Sequence, residues 1–336
     1  MIRYGILGFG LHAVRRLVPG FAQASNSRVT ALCRRDIKRA LASATEYKIP
    51  YAFDSARDLC RAPEIDAIFV ATPNGSHLND VLLAIESGKP VLCEKPMAMN
   101  AAECREMVEA ARRSNLLLAV AQVFRFERST ATLRERVAAG LIGKPIFARA
   151  EFSFPVRTHP RSWINNRKIA GGGPIADVGV HCIDALRYII ADEVVRVATI
   201  GISDHASGDV EATAVLLLEF VRGTLASVLV SARAEYRTPF EIVGETGTLR
   251  ADDAFSVERP VELELRRAGS VVDKETAPNA DAYARQVDAF SAAIEGKAKF
   301  PVSGEEGWQN QEVLDAAYRS LKSGRAETVT SIEKEH

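Results

Sequence analysis

The stretch Tyr4-Gly5-Ile6-Leu7-Gly8-Phe9-Gly10-Leu11-His12-Ala13 is an apolar run that breaks on two glycines and resumes with helical periodicity. Each small residue of such a strand-to-helix turn has a separate task. Gly8 permits the tight turn, Gly10 lets backbone approach a pyrophosphate, and Ala13 allows the helix to pack closely on its strand. The helix start then presents unpaired N–H groups and the positive end of its dipole to an anion. Many strand-to-helix turns use glycines, but this one opens a regular alternation of strands and helices, the setting a dinucleotide fingerprint requires. Gly8, Phe9, Gly10, Leu11, His12 and Ala13 are therefore expected to line a dinucleotide site.

Downstream, Val29–Cys33, Ile65–Ala71, Pro90–Cys93 and Leu116–Ala121 read as strands. Leu11–Ala24, Ile37–Tyr47, His77–Glu86 and Ala101–Arg113 read as helices. The strands are nearly unbroken in apolar residues, as when both faces of a parallel sheet are covered. An α/β, doubly wound Rossmann domain is expected over residues 1–123. After a helix over Thr130–Ala139 the pattern changes to alternation. Pro145–Phe154, Ala212–Phe220, Gly223–Ala232, Phe240–Val243, Gly247–Ala251 and Val261–Arg266 then predict a large, open, mostly antiparallel sheet. These strands belong to an expected α+β domain over residues 124–336. Helices after Pro174 and over Ala282–Ile294 are expected to cover one face of that sheet, while a last helix at about 305–323 suits either domain.

The bulk properties exclude several classes. Among 336 residues, Lys plus Arg and Asp plus Glu both number 43, so no global field draws nucleic acid or anionic membranes. No apolar stretch is long enough to span a bilayer, and no signal peptide is visible at the N-terminus. Cys33, Cys60, Cys93, Cys104 and Cys182 lack paired metal-ligand spacing, and their odd number argues against a disulfide framework. A reducing, cytoplasmic location and no metal site are the expectations.

The end of the second strand bears on the cofactor. Where an acidic residue would hold a ribose 2′-hydroxyl stands Arg34, followed by Arg35, Lys38 and Arg39. Guanidinium groups bind a 2′-phosphate that a carboxylate repels, which predicts NADP(H) in preference to NAD(H). Asp36 and an ordinary solvated helix start are the competing reading of the same cluster.

Further candidates sit where strands end, the edge at which open α/β sheets bind ligands. Thr72-Pro73-Asn74-Gly75-Ser76-His77 suits contacts to adenosine, ribose or pyrophosphate, although Asn74 or Ser76 would also serve as a helix cap. Glu94-Lys95-Pro96 places an ammonium where it could stabilise charge developing on a substrate oxygen. Gln122 and Arg125 reach toward nicotinamide or substrate, or Arg125 makes an interdomain salt bridge. Finally, Gly171-Gly172-Gly173-Pro174-Ile175-Ala176-Asp177-Val178-Gly179-Val180-His181 reads as a flexible glycine run feeding a helix. Its Asp and His, four apart, fall on one α-helical face, and a carboxylate beside an imidazole suits proton transfer near neutral pH.

The fingerprint, A-T-P-N-x-x-H at 71–77, E-K-P at 94–96 and G-G-G-x-x-x-D-x-G-x-H at 171–181 together resemble the Gfo/Idh/MocA oxidoreductases, the glucose–fructose oxidoreductase and inositol dehydrogenase family. The resemblance implies nicotinamide-dependent oxidation or reduction of a carbohydrate-like substrate. It implies Lys95 as the catalytic lysine, Asp177 as a substrate-binding aspartate and His181 as the acid/base. Arg35 and Arg39 match positions where dihydrodiol and xylose dehydrogenases of the family carry phosphate-binding arginines. A homodimer or homotetramer formed through the exposed sheet face is also implied. Arg34 departs from the acidic residue of many NAD-using members.

Together these readings predict His181 exchanging the hydroxyl proton at the reacting carbon, Lys95 hydrogen-bonding the same oxygen, and Asp177 holding a neighbouring hydroxyl or the imidazole. Residues 155–168, with His159, Arg161, Trp163 and Asn165, are expected to wall the sugar, Trp163 by stacking on its C–H face. Tyr283 either joins them or packs in the core. The rival classes are a nicotinamide-dependent glycosidase of the same fold and a non-catalytic nucleotide-sensing regulator; the latter has no need for Lys95, Asp177 and His181 together.

Overall fold

The structure, a computed structural model, describes residues 1–155 and 162–332. The chain divides into two compact units, one of Met1–Gln122 with Tyr283–Trp308, the other of Val123–Ala282 with the residues from Gln309 onward.

The first unit is built on strands β1 (Ile2–Leu7), β2 (Ser27–Cys33), β3 (Tyr51–Phe53), β4 (Ala67–Val70), β5 (Val91–Glu94) and β6 (Leu118–Ala121). They pair in the order β3-β2-β1-β4-β5-β6, and every pair is parallel. This is the doubly wound order with its switch point beside β1. Both faces of β1 are covered, which explains its unbroken apolar reading. On one face Tyr4 Oη hydrogen-bonds Ser291 Oγ at 2.8 Å and donates to Val287 O at 3.2 Å. On the other, a Cβ at Gly5 would lie 2.7 Å from Leu59 Cδ2.

The late helix Ala282–Ile294 therefore differs from expectation. It has the predicted length, but from Tyr283 on it groups with the parallel sheet and not with the antiparallel one. Its buried residues Val287, Phe290 and Ser291 match Tyr4 and Phe21, a pairing that apolar periodicity cannot assign to one sheet or the other. The last helix, Gly304–Ser323, has its first residues in the first unit and the remainder in the second.

The first helix also departs from a continuous α pattern. A π-turn spans Ala13–Leu17 and an α-helix follows over Val18–Gln23. Pro19 offers no N–H to the preceding turn, and its ring crowds the carbonyl four residues back; a wider turn just upstream relieves that crowding.

The second unit carries β7 (Pro145–Ser153), β8 (Val194–Ile202), β9 (Thr213–Phe220), β10 (Leu225–Ser231), β11 (Phe240–Gly244), β12 (Thr248–Ala251), β13 (Val261–Arg267), β14 (Ser270–Ala277) and β15 (Glu327–Thr328). Among the described residues they form one nine-stranded sheet, β14-β13-β12-β11-β7-β10-β9-β8-β15, antiparallel except between β7 and β10. The helices Arg128–Ala138 and Val180–Ile190 pack on each other, and the latter also packs on β7. Ala148, Ala150, Leu216, Leu218, Val228 and Val230 are buried, whereas Phe147, Leu217, Leu225 and Ile200 on the alternate positions are exposed.

Candidate active site

In the first unit, Gly8 has φ +85°, and a Cβ there would lie 2.6 Å from Thr72 N. Only glycine meets both constraints. The turn is tied by Phe9 N–H to Cys33 O (3.1 Å) and Gly10 N–H to Gly8 O (2.7 Å). Gly10 is exposed and Ala13 buried, as the two tasks of approach and packing require. Phe9 sits in the core beside the Tyr47 ring, so its side chain packs and only its backbone faces the turn.

Glu94, at the end of β5, is a buried hub. Its Oε1 lies 2.8 Å from His12 Nε2, and its Oε2 accepts from Lys95 N–H at 3.2 Å. Burial alone pushes the Glu94 carboxyl up, but His12 and Lys95 outweigh it and hold the group below the usual carboxylate range. Fingerprint and Glu-Lys-Pro motif are thus joined by a side-chain contact. The Tyr283 ring lies 6.1 Å from that of His12, and the Tyr283 Cβ blocks any side chain at Gly20. Tyr283 is half-buried and packs within the first unit. Lys95 is half-buried beyond the strand end, and Gln122 is buried just after β6.

His77 lies beneath the strand-end loops. It is fully buried, its two ring nitrogens lying 3.0 Å from Pro96 O and 2.9 Å from Thr72 O. Burial pushes its pKa down against those carbonyls. It thereby ties the 72–76 loop to the Glu-Lys-Pro segment. Thr72 Oγ1 donates to Asp80 at 2.7 Å, Pro73 opens the 3₁₀ turn Asn74–Ser76, and Asn74 is buried. Ser76 stands at the helix start without a side-chain capping bond.

At the end of β2, Arg34 donates from Nη1 to Ser43 Oγ at 2.7 Å and its backbone N–H to Phe53 O at 3.0 Å. Arg35, Lys38 and Arg39 are exposed around it. Asp36 is the N-cap of the helix Ile37–Tyr47, accepting from Arg39 N–H at 3.1 Å. The one acidic side chain of the cluster is thereby engaged as a cap.

In the second unit, the glycine run proves tightly held. A Cβ on Gly172 would lie 1.6 Å from Tyr318 Oη, and one on Gly173 would lie 2.1 Å from Glu211 O. Flexibility is thus not what these glycines supply; close approach is. Pro174 is followed by a π-turn, Ile175–Gly179, that contains Asp177, and then by the α-helix Val180–Ile190 with His181 in its first turn. The four-residue spacing therefore does not have simple α-helical phase. Such wide turns recur at functional sites. Asp177 is half-buried; His181 is buried, with the Phe124 ring edge-on at 4.5 Å and Phe152 at 6.2 Å.

Arg125 lies in a buried network. Its Nε and Nη2 donate to the two Asp184 oxygens at 2.8 and 2.7 Å, and the guanidinium lies 5.0 Å from the Tyr188 ring. Asn310 adds a bond to Asp184 at 2.7 Å. Trp163, in the turn Ser162–Asn165, packs with Phe154 against Ile164 and Ala232. Asn165 Nδ2 donates to Ala206 O at 3.2 Å. His159 and Arg161 lie outside the described residues.

Two residues that sequence reading missed complete this region, Glu211 buried and Tyr318 half-buried. Glu211 accepts from Gly173 and Ile175 N–H, and Tyr318 O–H donates to it at 3.0 Å. Burial, and then the Glu211 charge, push the Tyr318 hydroxyl well up. Neither belongs to a spaced motif, so only the folded arrangement reveals them.

A parallel sheet in this order, turning at a positive-φ glycine into a helix, defines a dinucleotide-binding protein. The chain belongs to the GFO/IDH/MocA oxidoreductase family: residues 2–122 match its model described as "Oxidoreductase family, NAD-binding Rossmann fold", and residues 130–250 match the GFO/IDH/MocA C-terminal domain. It is a nicotinamide-dependent dehydrogenase or reductase. The chain is 31% identical over 331 residues to a 1,5-anhydro-D-fructose reductase of Ensifer adhaerens, covering 97% of this chain and 98% of that protein. It is 31% identical over 331 residues to D-xylose 1-dehydrogenase (NADP(+)) 2 of Haloferax volcanii, covering 96% and 98%. Among solved structures, an aldose-aldose oxidoreductase from Caulobacter crescentus complexed with glycerol superposes with a TM-score of 0.90 at 27% identity, covering 97% of this chain and 99% of that one.

Proposed function

We propose that this enzyme uses NADP(H) to oxidise or reduce a sugar, polyol or related hydroxyl or carbonyl compound, with Lys95 and His181 acting at the reacting oxygen. The residues present fit such a cofactor. The Gly8 turn has no room for a side chain, Gly10 leaves its backbone exposed, and Arg34, Arg35 and Arg39 gather where a 2′-phosphate would be read. Thr72, Pro73, Asn74, Glu94 and Gln122 are assigned to the same site by their positions at the strand ends. When bound, the nicotinamide supplies the hydride acceptor or donor.

In this reading Lys95 hydrogen-bonds the substrate oxygen and steadies negative charge on it. His181 takes up or returns the hydroxyl proton, and Asp177 holds a neighbouring hydroxyl or the imidazole. Trp163 offers an apolar face to the substrate. The observation that carries the NADP preference is Asp36: its carboxylate caps a helix, leaving the β2 terminus to arginines. The carbohydrate class is supported by the names of the two relatives, one a sugar-derived reductase and one an NADP(+)-using xylose dehydrogenase.

The test has two arms. NADPH and NADH titrations by fluorescence are expected to give tighter NADPH binding; tighter NADH binding rejects the preference. A panel of aldoses and polyols with NADP(+), and of 1,5-anhydro-D-fructose and other sugar carbonyls with NADPH, is expected to yield cofactor-dependent turnover. Turnover of glycosides with no net change in nicotinamide absorbance would instead establish the glycosidase class.

We also propose a homodimer or homotetramer formed through the outer face of β7, β10, β9 and β8. Leu217, Leu225 and Ile202 are 58%, 58% and 66% exposed there, an apolar surface unusual for a monomer. A cytoplasmic location fits the cysteines: the five are free and buried, and burial pushes the thiols of Cys33 and Cys60 up to about 11 and about 12.

A further inference from the structure

Glu211 stands just before β9, and its side chain, almost fully buried, ends beside the start of the helix that carries Asp177 and His181. One oxygen, Oε1, accepts three hydrogen bonds: from Gly173 N–H at 3.0 Å, Ile175 N–H at 2.9 Å and Tyr318 O–H at 3.0 Å. Pro174, between the two amides, has no N–H to offer. The carboxylate thus satisfies every backbone donor from Gly173 to Ile175. A helix start normally finds its acceptor on a local Ser, Thr, Asp or Asn side chain, and here Gly173 and Pro174 provide none. The acceptor comes instead from a residue 36 positions along the chain from Ile175.

The support around the carboxylate is equally specific. Tyr318 occupies the space a Gly172 side chain would need, and the Glu211 carbonyl occupies that of Gly173. The Arg167 guanidinium lies 5.4 Å from the Tyr318 ring centre and 3.9 Å from Glu211 Oε2. Ala212 N–H donates to Ile202 O, and Ala212 O accepts from Ala232 N–H, so the backbone next to Glu211 is anchored to both β8 and β10. A rigid path therefore runs from the sheet through one carboxylate to the first turn of the helix.

We propose that Glu211 is a positioning residue of the reaction, setting the start of the Ile175–Ile190 segment and thereby the placement of Asp177 and His181, with Tyr318 as its strut. This rests on the reading that Asp177 and His181 serve the reacting oxygen. Removing the acceptor lets the π-turn relax, and an acid/base group displaced by an ångström loses much of its effect while cofactor binding, which uses other residues, is untouched.

The experiment uses the full-length enzyme and the panel compound with the highest kcat/KM. Glu211→Ala is expected to increase amide exchange in peptides covering 172–181 and to lower kcat by about 10–100-fold. NADPH affinity stays unchanged, and the primary deuterium isotope effect from substrate labelled at the reacting carbon rises, because proton and hydride transfer become slower than release. Glu211→Gln, which keeps an acceptor oxygen, restores most of kcat. Tyr318→Phe moves exchange and isotope effect in the same direction as Glu211→Ala but less far, and it carries the test if the alanine variant does not fold. Wild-type kcat in Glu211→Ala, or a lower kcat with an unaltered isotope effect, overturns the proposal, since the latter marks only a smaller folded fraction. So does Tyr318→Phe with wild-type exchange and kcat. Full turnover in His181→Ala would sink the underlying functional reading alone, leaving the exchange result to stand for the tether.

Discussion

Gly172 and His77 show how single positions are decided by what surrounds them. A methyl group on Gly172 would overlap the Tyr318 hydroxyl, so Gly172→Ala must displace the tyrosine and break its bond to Glu211. Overpacking of this kind costs about 1–3 kcal/mol. A thermal midpoint lowered by several degrees and a reduced kcat are the expected outcome; an unchanged midpoint would show that the site has slack. His77 holds two backbone carbonyls on different loops, and its replacement by Ala is expected to weaken NADPH binding about tenfold, roughly one lost hydrogen bond. Calorimetric titration of His77→Ala against wild type checks this. The histidine stood out in the sequence through its motif, but that motif does not distinguish a ligand contact from a clamp.

The elements were legible wherever local chemistry and tertiary packing agree. The helices Ile37–Tyr47 and Ala101–Arg113 begin after Asp36 and Asn100, whose side chains accept from the third residue on, and their expected bounds match. The three-residue β3 and two-residue β15 are too short to leave a period, and β14 is exposed over most of its length and so lacks an apolar face. Val194–Ile202 had the β-branched composition of a strand and was readable but unread. The two π-turns were illegible, because apolar periodicity does not separate a single wide turn from the α-helix that follows it. Of the candidate site, the motifs marked the strand ends and the helix of Asp177 and His181, whereas the supports Glu211 and Tyr318 had no local signature. At the β2 terminus, replacing Arg34 by Asp together with Arg39 by Ala is expected to weaken NADPH binding about 10–100-fold while leaving NADH within a small factor, since each charged hydrogen bond is worth about 1.5–3 kcal/mol. Equal losses for both nucleotides would place the 2′-phosphate elsewhere.

For the whole molecule, acid stability follows from its depressed carboxylates. The Arg3 guanidinium holds Asp66 below the usual range. Burial pushes Asp288 up, but the amides of Ser25 and Asn26 and the hydroxyls of Ser25 and Ser27 outweigh it and leave it low. A carboxylate lowered on folding stabilises above its unfolded pKa of about 4, and that contribution fades as pH falls through the folded value. Asp288→Ala is thus expected to lose about 1–3 kcal/mol at pH 7 and progressively less below pH about 4. Urea unfolding at the two pH values tests it, and a loss independent of pH would assign the effect to packing. Assembly is read at the same scale. Leu217→Arg with Leu225→Arg is expected to convert an oligomer to monomers in light scattering without lowering helix content; wild type running as a monomer would refute the sheet-face interface.

The return of the segment from Tyr283 to Trp308 to the first unit also constrains biosynthesis. Tyr4 reaches across 283 positions of sequence to Val287 for a hydrogen bond. While a ribosome has released only the first 122 residues, the cover for one side of β1 has not yet been translated. The nucleotide-binding half cannot mature ahead of its neighbour in the order of synthesis, and a nascent chain must shield Tyr4 and Phe21 until the segment from Tyr283 to Trp308 has been translated.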